Sequence, residues 1–289
     1  MMADREQNSA RPFGGAWTLK KLAILESYLD AYTTALKSQP FKLMYIDAFA
    51  GTGQIALPSG EDDNEIRDFV SGSVERAVKI EDKPFDRLIF VEKEPDRCVK
   101  LGEVREANPG RDISIENSEA NEFLSNLHAD WSQWRGVLFL DPFATEVEWA
   151  TIRKIAGFHA LDTWILFPVS AIARMLPRSK RPDEISPQWV TRLTRVFGDN
   201  SWRELYRESS QPTLFGNTGQ ERAPGVSGLL KIYNGKLSGL FGDRFLDQSR
   251  PLRNSKNSVL FELLFCVGSA NPQAIAVAKR IAKHILENL

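Results

Sequence analysis

The chain has 289 residues, 42% hydrophobic and 26% charged, with 37 basic against 38 acidic side chains and a formal net charge of −1. This length suits one large α/β domain with an insertion, or one domain plus a small appendage, and the balanced charge excludes a global field that would draw the chain onto nucleic acid. Two isolated cysteines, Cys98 and Cys266, argue against a disulfide framework or a zinc site and for a reducing compartment.

Residues 1–16 are polar and broken by Pro12 and Gly14-Gly15, so a disordered lead-in without a secretory signal is expected. No apolar run reaches the length of a bilayer span, and a cytoplasmic protein is expected. From Trp17 to Leu36, apolar residues recur at helical spacing behind Thr18 as N-cap. Strand 1 follows at 42–48, then an acidic loop over 54–70 and a helix from Ser71-Gly72-Ser73 to Lys79. Strand 2 (87–91), a helix (95–106), strand 3 (113–115) and a helix (120–128) come next. Strand 4 (136–140), a helix (147–156) and strand 5 (163–167) complete the alternation. Such alternation predicts a doubly wound α/β fold, Rossmann-like, with a mostly parallel sheet. Residues 171–256 read as a broken helical insertion, a substrate or partner region. Residues 257–289 read as an antiparallel strand (258–267) and a helix (272–288) that complete the core.

Ligands of such sheets bind at the carboxyl ends of the strands, beside the switch in strand order. Strand 1 ends in Asp47-Ala-Phe49-Ala-Gly51-Thr-Gly53, a glycine turn that brings backbone N–H groups close to a ligand. The same turn also serves as a bare strand–helix connector. Glu92, one residue past strand 2 and followed by Lys93, is placed to accept both hydroxyls of a ribose, or else is part of a solvated charge run. Glu119, followed by Ala120, is placed to meet an exocyclic amine of adenine, while Asn117 or Ser118 competes as a helix cap.

Strand 4 ends in Asp141-Pro142-Phe143-Ala144. A carboxylate on a proline-stiffened turn can orient an amino group toward an electrophilic methyl, and Phe143 can stack on a planar base. A plain turn, with Asp141 capping and Phe143 buried, is the competing reading. Residues 174–207 interleave arginines, Arg174 among them, with Trp189, Trp202 and Tyr206, a composition that suits phosphate and base contact or a solvated face. Gln211–Phe215 has the form of a short clamp-docking peptide at a length where chance matches are common. The three histidines show no metal-ligand spacing.

The strand tips Asp47, Glu92, Glu119 and Asp141, one per successive strand, resemble the class I S-adenosylmethionine (SAM) methyltransferases. The tetrapeptide departs from the Asp/Asn-Pro-Pro-Tyr/Phe of the amino-methylating enzymes: Phe143 replaces the second proline and Ala144 the aromatic. More specifically, Trp17–Leu29, Tyr45–Gly53, Ser71-Gly-Ser, Phe139–Phe143, Trp164–Pro168 with Arg174, and Leu260–Phe265 with Ala270-Asn-Pro are similar to the three-Cys-motif partner (TcmP) family. That resemblance covers residues 17–285 and implies a SAM-binding core at 17–170 and a partner protein carrying three cysteines. Under it, Asp47, Phe49, Gly51, Gly53, Glu92, Lys93, Glu119 and Ala120 hold SAM. Asp141, Pro142 and Phe143 form the catalytic turn, and Arg174 meets a substrate phosphate. The expected activity is methylation of an exocyclic amine on a nucleic-acid base; the alternative is an accessory subunit of the same fold that transfers nothing. A nucleotide- or NAD-using enzyme is a third reading, without a hydride-transfer site to support it.

Overall fold

A computed structural model of the protein describes residues 16–52, 54–56, 69–176, 182–212, 218–222 and 227–289. Among these, the central sheet has seven strands: β1 (Lys42–Asp47), β2 (Arg87–Val91), β3 (Ile113–Glu116), β4 (Trp134–Leu140), β5 (Leu161–Phe167), β6 (Phe245–Arg253) and β7 (Val259–Cys266). Their order is β6-β7-β5-β4-β1-β2-β3. β1 to β5 are parallel, and β7 runs antiparallel between β5 and β6. The order reverses between β1 and β4, which makes the carboxyl end of β1 the switch point.

The parallel strands read as continuous apolar runs because both of their faces are covered. Every residue of β5 is buried, as are all those of β1 after Lys42. Alternate residues divide the core in two. Met44, Ile46, Leu138, Leu140, Ile165 and Phe167 pack with helices α4 (Ala120–Asn126), α5 (Trp149–Phe158), α6 (Val169–Met175), α7 (Pro187–Phe197) and α8 (Ser227–Phe241). Leu43, Tyr45, Val137, Phe139, Trp164 and Leu166 pack with α1 (Ala16–Leu36), α2 (Ser73–Val78), α3 (Pro95–Glu106) and α9 (Pro272–Asn288). A side-chain period of two gives each strand one residue for each layer in turn.

Four expectations change. Thr18 does not cap α1: it is buried inside a helix that already includes Ala16, and Trp17 holds this turn against β7 by stacking on Phe261 at 5.1 Å. The cap of α4 is Glu119 itself, which accepts from Glu122 N at 3.1 Å. Gln54–Ala56 and Phe69–Ser71, at the two ends of the segment expected as an acidic loop, form a short antiparallel pair, and residues 57–68 lie outside the described residues. The segment 171–256 is not a purely helical insertion. It contains the hairpin Tyr206–Pro212 with Thr218–Arg222, and its end is β6, the edge strand of the central sheet. β6 escapes a periodicity reading because its ladder with β7 is irregular between Leu246 and Arg250 and again between Leu252 and Arg253, so alternation fails along the strand. Gly53, residues 177–181 and most of Gln211–Phe215 lie outside the described residues.

Candidate active site

The glycine turn is tied over the switch point by its own backbone. Ala48 N donates to Phe139 O of β4 at 3.1 Å, and Ala50 N donates to Val91 O of β2 at 3.0 Å. Gly51 takes φ +63°, a conformation that disfavours side chains, and a Cβ built there would meet no heavy atom of the described residues within 4 Å. The turn therefore presents open space where a ligand can approach the backbone.

Asp47 is turned inward. It is fully buried and accepts from Ser73 Oγ at 2.5 Å, Phe49 N at 3.2 Å and Tyr45 Oη at 3.4 Å. Burial pushes its carboxyl up to about 6, the Ser73 hydroxyl opposes that rise, and the Asp141 carboxylate adds to it. All three donors come from the protein, so Asp47 joins the turn to α2 in addition to any ligand it meets. Phe49 is half-buried against the α4–α8 layer.

The neighbouring tips line the same rim, as the register of the parallel strands requires. Glu92 is 7% exposed. It accepts from Glu94 N at 2.9 Å, and its second oxygen lies 3.7 Å from Arg97. Glu92 N donates to Glu116 O of β3 at 3.0 Å, and Asn117 Nδ2 donates to the Glu92 and Lys93 carbonyls, each at 3.0 Å. Glu119 is exposed, and Ala120 behind it is buried. Lys93 pairs with Glu146 at 3.4 Å.

Glu146 was not singled out by its sequence, yet it braces the Asp141 turn. It accepts from Phe143 N at 2.9 Å through its carboxylate and from Asn121 Nδ2 at 2.8 Å through its carbonyl. The β4 tip is thereby joined to the β2 and β3 tips. Pro142 is buried under this turn, and Phe143 is 69% exposed beside Asp141, contrary to the buried-turn reading. Arg174 is exposed in the last turn of α6, the helix that follows β5.

A second residue that sequence reasoning missed is Lys21. Its side chain is 6% exposed, and its ammonium donates to Asp141 Oδ2, whose side chain is 21% exposed. The ammonium also lies 5.4 Å from the Trp17 ring centroid and 5.9 Å from that of Phe139. A signal was present: Lys21 sits one turn past Trp17 and one before Leu25, on the apolar face of α1. Buried lysines are rare unless paired.

No profile of a known family matches the chain. No curated protein matches it either, so membership of the three-Cys-motif partner family is not shown. Solved structures with similar folds exist. Protein LPL1258 from Legionella pneumophila aligns at 12% identity over 94% of each chain, TM-score 0.47. A SAM-dependent methyltransferase from Clostridium acetobutylicum aligns at 13% identity over 85% of this chain and 92% of its own, TM-score 0.38. TehB from Haemophilus influenzae aligns at 11% identity over 82% and 61%, TM-score 0.36. These three likenesses, one of them to a methyltransferase, all have TM-scores below 0.5.

Open space over Gly51, with an acidic residue at the tip of the adjacent strand, fits a nucleoside-bearing cofactor. Among the described residues no group of three or more His, Cys, Asp or Glu could hold a metal ion. No helix of the described residues is long and apolar enough to cross a membrane.

Proposed function

We propose that this chain is a SAM-dependent methyltransferase acting on an exocyclic amino group of a nucleic-acid base. The observation that carries the reading is the seat of Lys21 on Asp141: the carboxylate at the β4 tip already accepts an N–H donor, beside the open glycine turn. When bound, the cofactor supplies a methyl group on a sulfonium, which needs no further activation.

The chain's own residues supply position. The Gly51 turn and Glu92 would hold the cofactor, with Glu119 toward its adenine and Lys93 beside them. Asp141 would accept a hydrogen bond from the acceptor amine, fixing its lone pair in line and taking the proton displaced when the new N–C bond forms. A carboxylate has about four lone-pair sites, so one ammonium does not exhaust Asp141. Phe143, exposed beside it, supports stacking on an extruded base.

The test is transfer of tritium from methyl-labelled SAM to purified DNA and RNA, offered separately, with nucleoside digestion to locate the label. Absence of label on both, with SAM bound, would favour the second reading. That reading is an accessory subunit that binds a partner, the three-Cys-motif protein of the family resemblance, and transfers nothing. The Lys21–Asp141 pair favours it in one respect, because a carboxylate held by an internal cation can simply be a structural pair.

A further inference from the structure

The chain as a whole is electrically balanced, but the outer face of α9 is not. Between Pro272 and Asn288 it carries Lys279, Arg280 and Lys283 with His284, against Glu287 alone. These five side chains and Leu246 of β6 line a surface cleft of about 420 Å³. Beyond it the cations continue. Arg250, on β6, reaches back to α9 by donating to Leu286 O at 3.1 Å, and α1, which carries Lys20, packs against both α9 and β6. Partial burial and Arg250 together hold the Lys20 amine below its ordinary range. Lys20 in turn precedes Lys21, the residue on Asp141.

Of Lys20, Arg250, Lys279, Arg280, Lys283 and His284, only Lys283 has a carboxylate partner among the described residues, Glu287 at 3.9 Å. Lys279 donates to a backbone carbonyl, Asp243 O, at 3.0 Å. Two ordinary reasons for such cations fall short. Basic groups complement a helix dipole only within its last turn, and the last turn of α9 holds none. Cations discourage pairing at an exposed edge strand, which accounts for Arg250 but not for the α9 residues. Glu287 offsets one of these charges, and the remaining like charges are unfavourable side by side unless an anion meets them.

We infer that this surface, from the α9 cleft across Arg250 to Lys20, is the track for the sugar-phosphate backbone of a nucleic acid whose base reaches Asp141. Lys279 to Leu286 spans about 10 Å of helix, room for roughly three phosphates of one stacked strand. The inference deepens the proposed function and rests on it for the base at Asp141. It moves the phosphate contact from the expected 174–207 region to the opposite layer of the sheet.

The experiment is fluorescence anisotropy of the full chain with fluorescein-labelled, mixed-sequence single-stranded RNA and DNA, across a salt series. Arg280→Glu with Lys283→Glu reverses two exposed charges; Arg192→Glu, at an exposed position of α7, reverses one in the region first expected to meet phosphate. The double variant is expected to bind about tenfold or more weakly, with the slope of log affinity against log salt reduced by roughly 1.4, about 0.7 for each phosphate no longer neutralised. Arg192→Glu is expected to bind as the unaltered chain does. The track is overturned if the unaltered chain binds neither oligonucleotide, if the double variant keeps affinity and slope, or if Arg192→Glu weakens binding equally. Calorimetry with S-adenosylhomocysteine, expected to be unchanged by all three substitutions, separates the two readings. Track-dependent binding without any affinity for that ligand would remove the methyltransferase and leave the surface standing. Ligand binding without oligonucleotide binding would do the reverse.

Discussion

Lys21, near the start of α1, and Asp141, 120 residues later at the tip of β4, meet as a largely buried ion pair at the rim of the sheet. Asp47 feels both partners: the Asp141 carboxylate raises its proton affinity and the Lys21 ammonium lowers it. The ion pair thus lies near enough to Asp47 to bias its charge.

Removing either member should therefore have different consequences. Asp141→Ala is expected to reduce methyl transfer by about 10²–10⁴-fold while S-adenosylhomocysteine binds as before. Retained turnover in this variant, followed by label incorporation, would exclude Asp141 from the chemistry.

Lys21→Met should leave Asp141 without its cation and cost about 1–3 kcal/mol, less than a fully buried pair because Asp141 keeps some solvent. Lys21→Arg should recover part of the loss. Urea denaturation of the three proteins measures the order, and a Met variant as stable as the parent would show the pair to be energetically idle.

The Gly51 turn allows backbone strain and ligand space to be separated. Gly51→Ala places a Cβ at φ +63°, at a backbone cost of about 1–2 kcal/mol, with no atom of the described residues for it to strike. The expectation is a modest fall in Tm together with a larger loss of S-adenosylhomocysteine affinity, because the Cβ enters the space a ligand would use. Unchanged affinity by calorimetry would mean that the ligand does not approach this turn.

Two buried carboxyls set a pH dependence. Asp47 and Asp162 are each pushed up to about 6, above all by burial. Between about pH 4 and pH 6 the folded chain therefore holds protons that the unfolded chain has released, so both groups make stability fall as pH rises through that window. Below it their contribution is flat. Asp162→Asn should flatten this part of a stability–pH curve, and an identical slope in the variant would contradict the assignment.

Asp162 also anchors the far end of β5, accepting from Tyr28 Oη at 2.6 Å and Gly268 N at 2.7 Å. Tyr28→Phe removes one donor and is expected to cost about 1–3 kcal/mol through the carboxyl left short of a partner. Its midpoint in urea should shift down with little change in slope.

The fold was legible because parallel strands covered on both faces must be mostly apolar, and β1, β2, β4 and β5 each carry a long apolar run, the buried Asp162 near the start of β5 being held by Tyr28 and Gly268 N. Asp47, Glu92 and Asp141 were legible as strand tips for the same reason: a charge that ends an apolar run has to lie at the rim. What the chain does not announce locally depends on contacts between distant segments. β6 became a sheet edge because β7 offered it a ladder, although its register shifts between Leu246 and Arg250 and again between Leu252 and Arg253. Lys21 became part of the candidate site because α1 packs its apolar face on β4, which takes a lysine's ammonium to a carboxylate at the rim. The basic surface of α9 joined Lys20 and Arg250 only once three elements far apart in the chain were brought side by side. Local periodicity determines which residues are buried and where strands stop; tertiary packing decides which charges share a space, because Coulomb energy depends on separation in space and not along the chain.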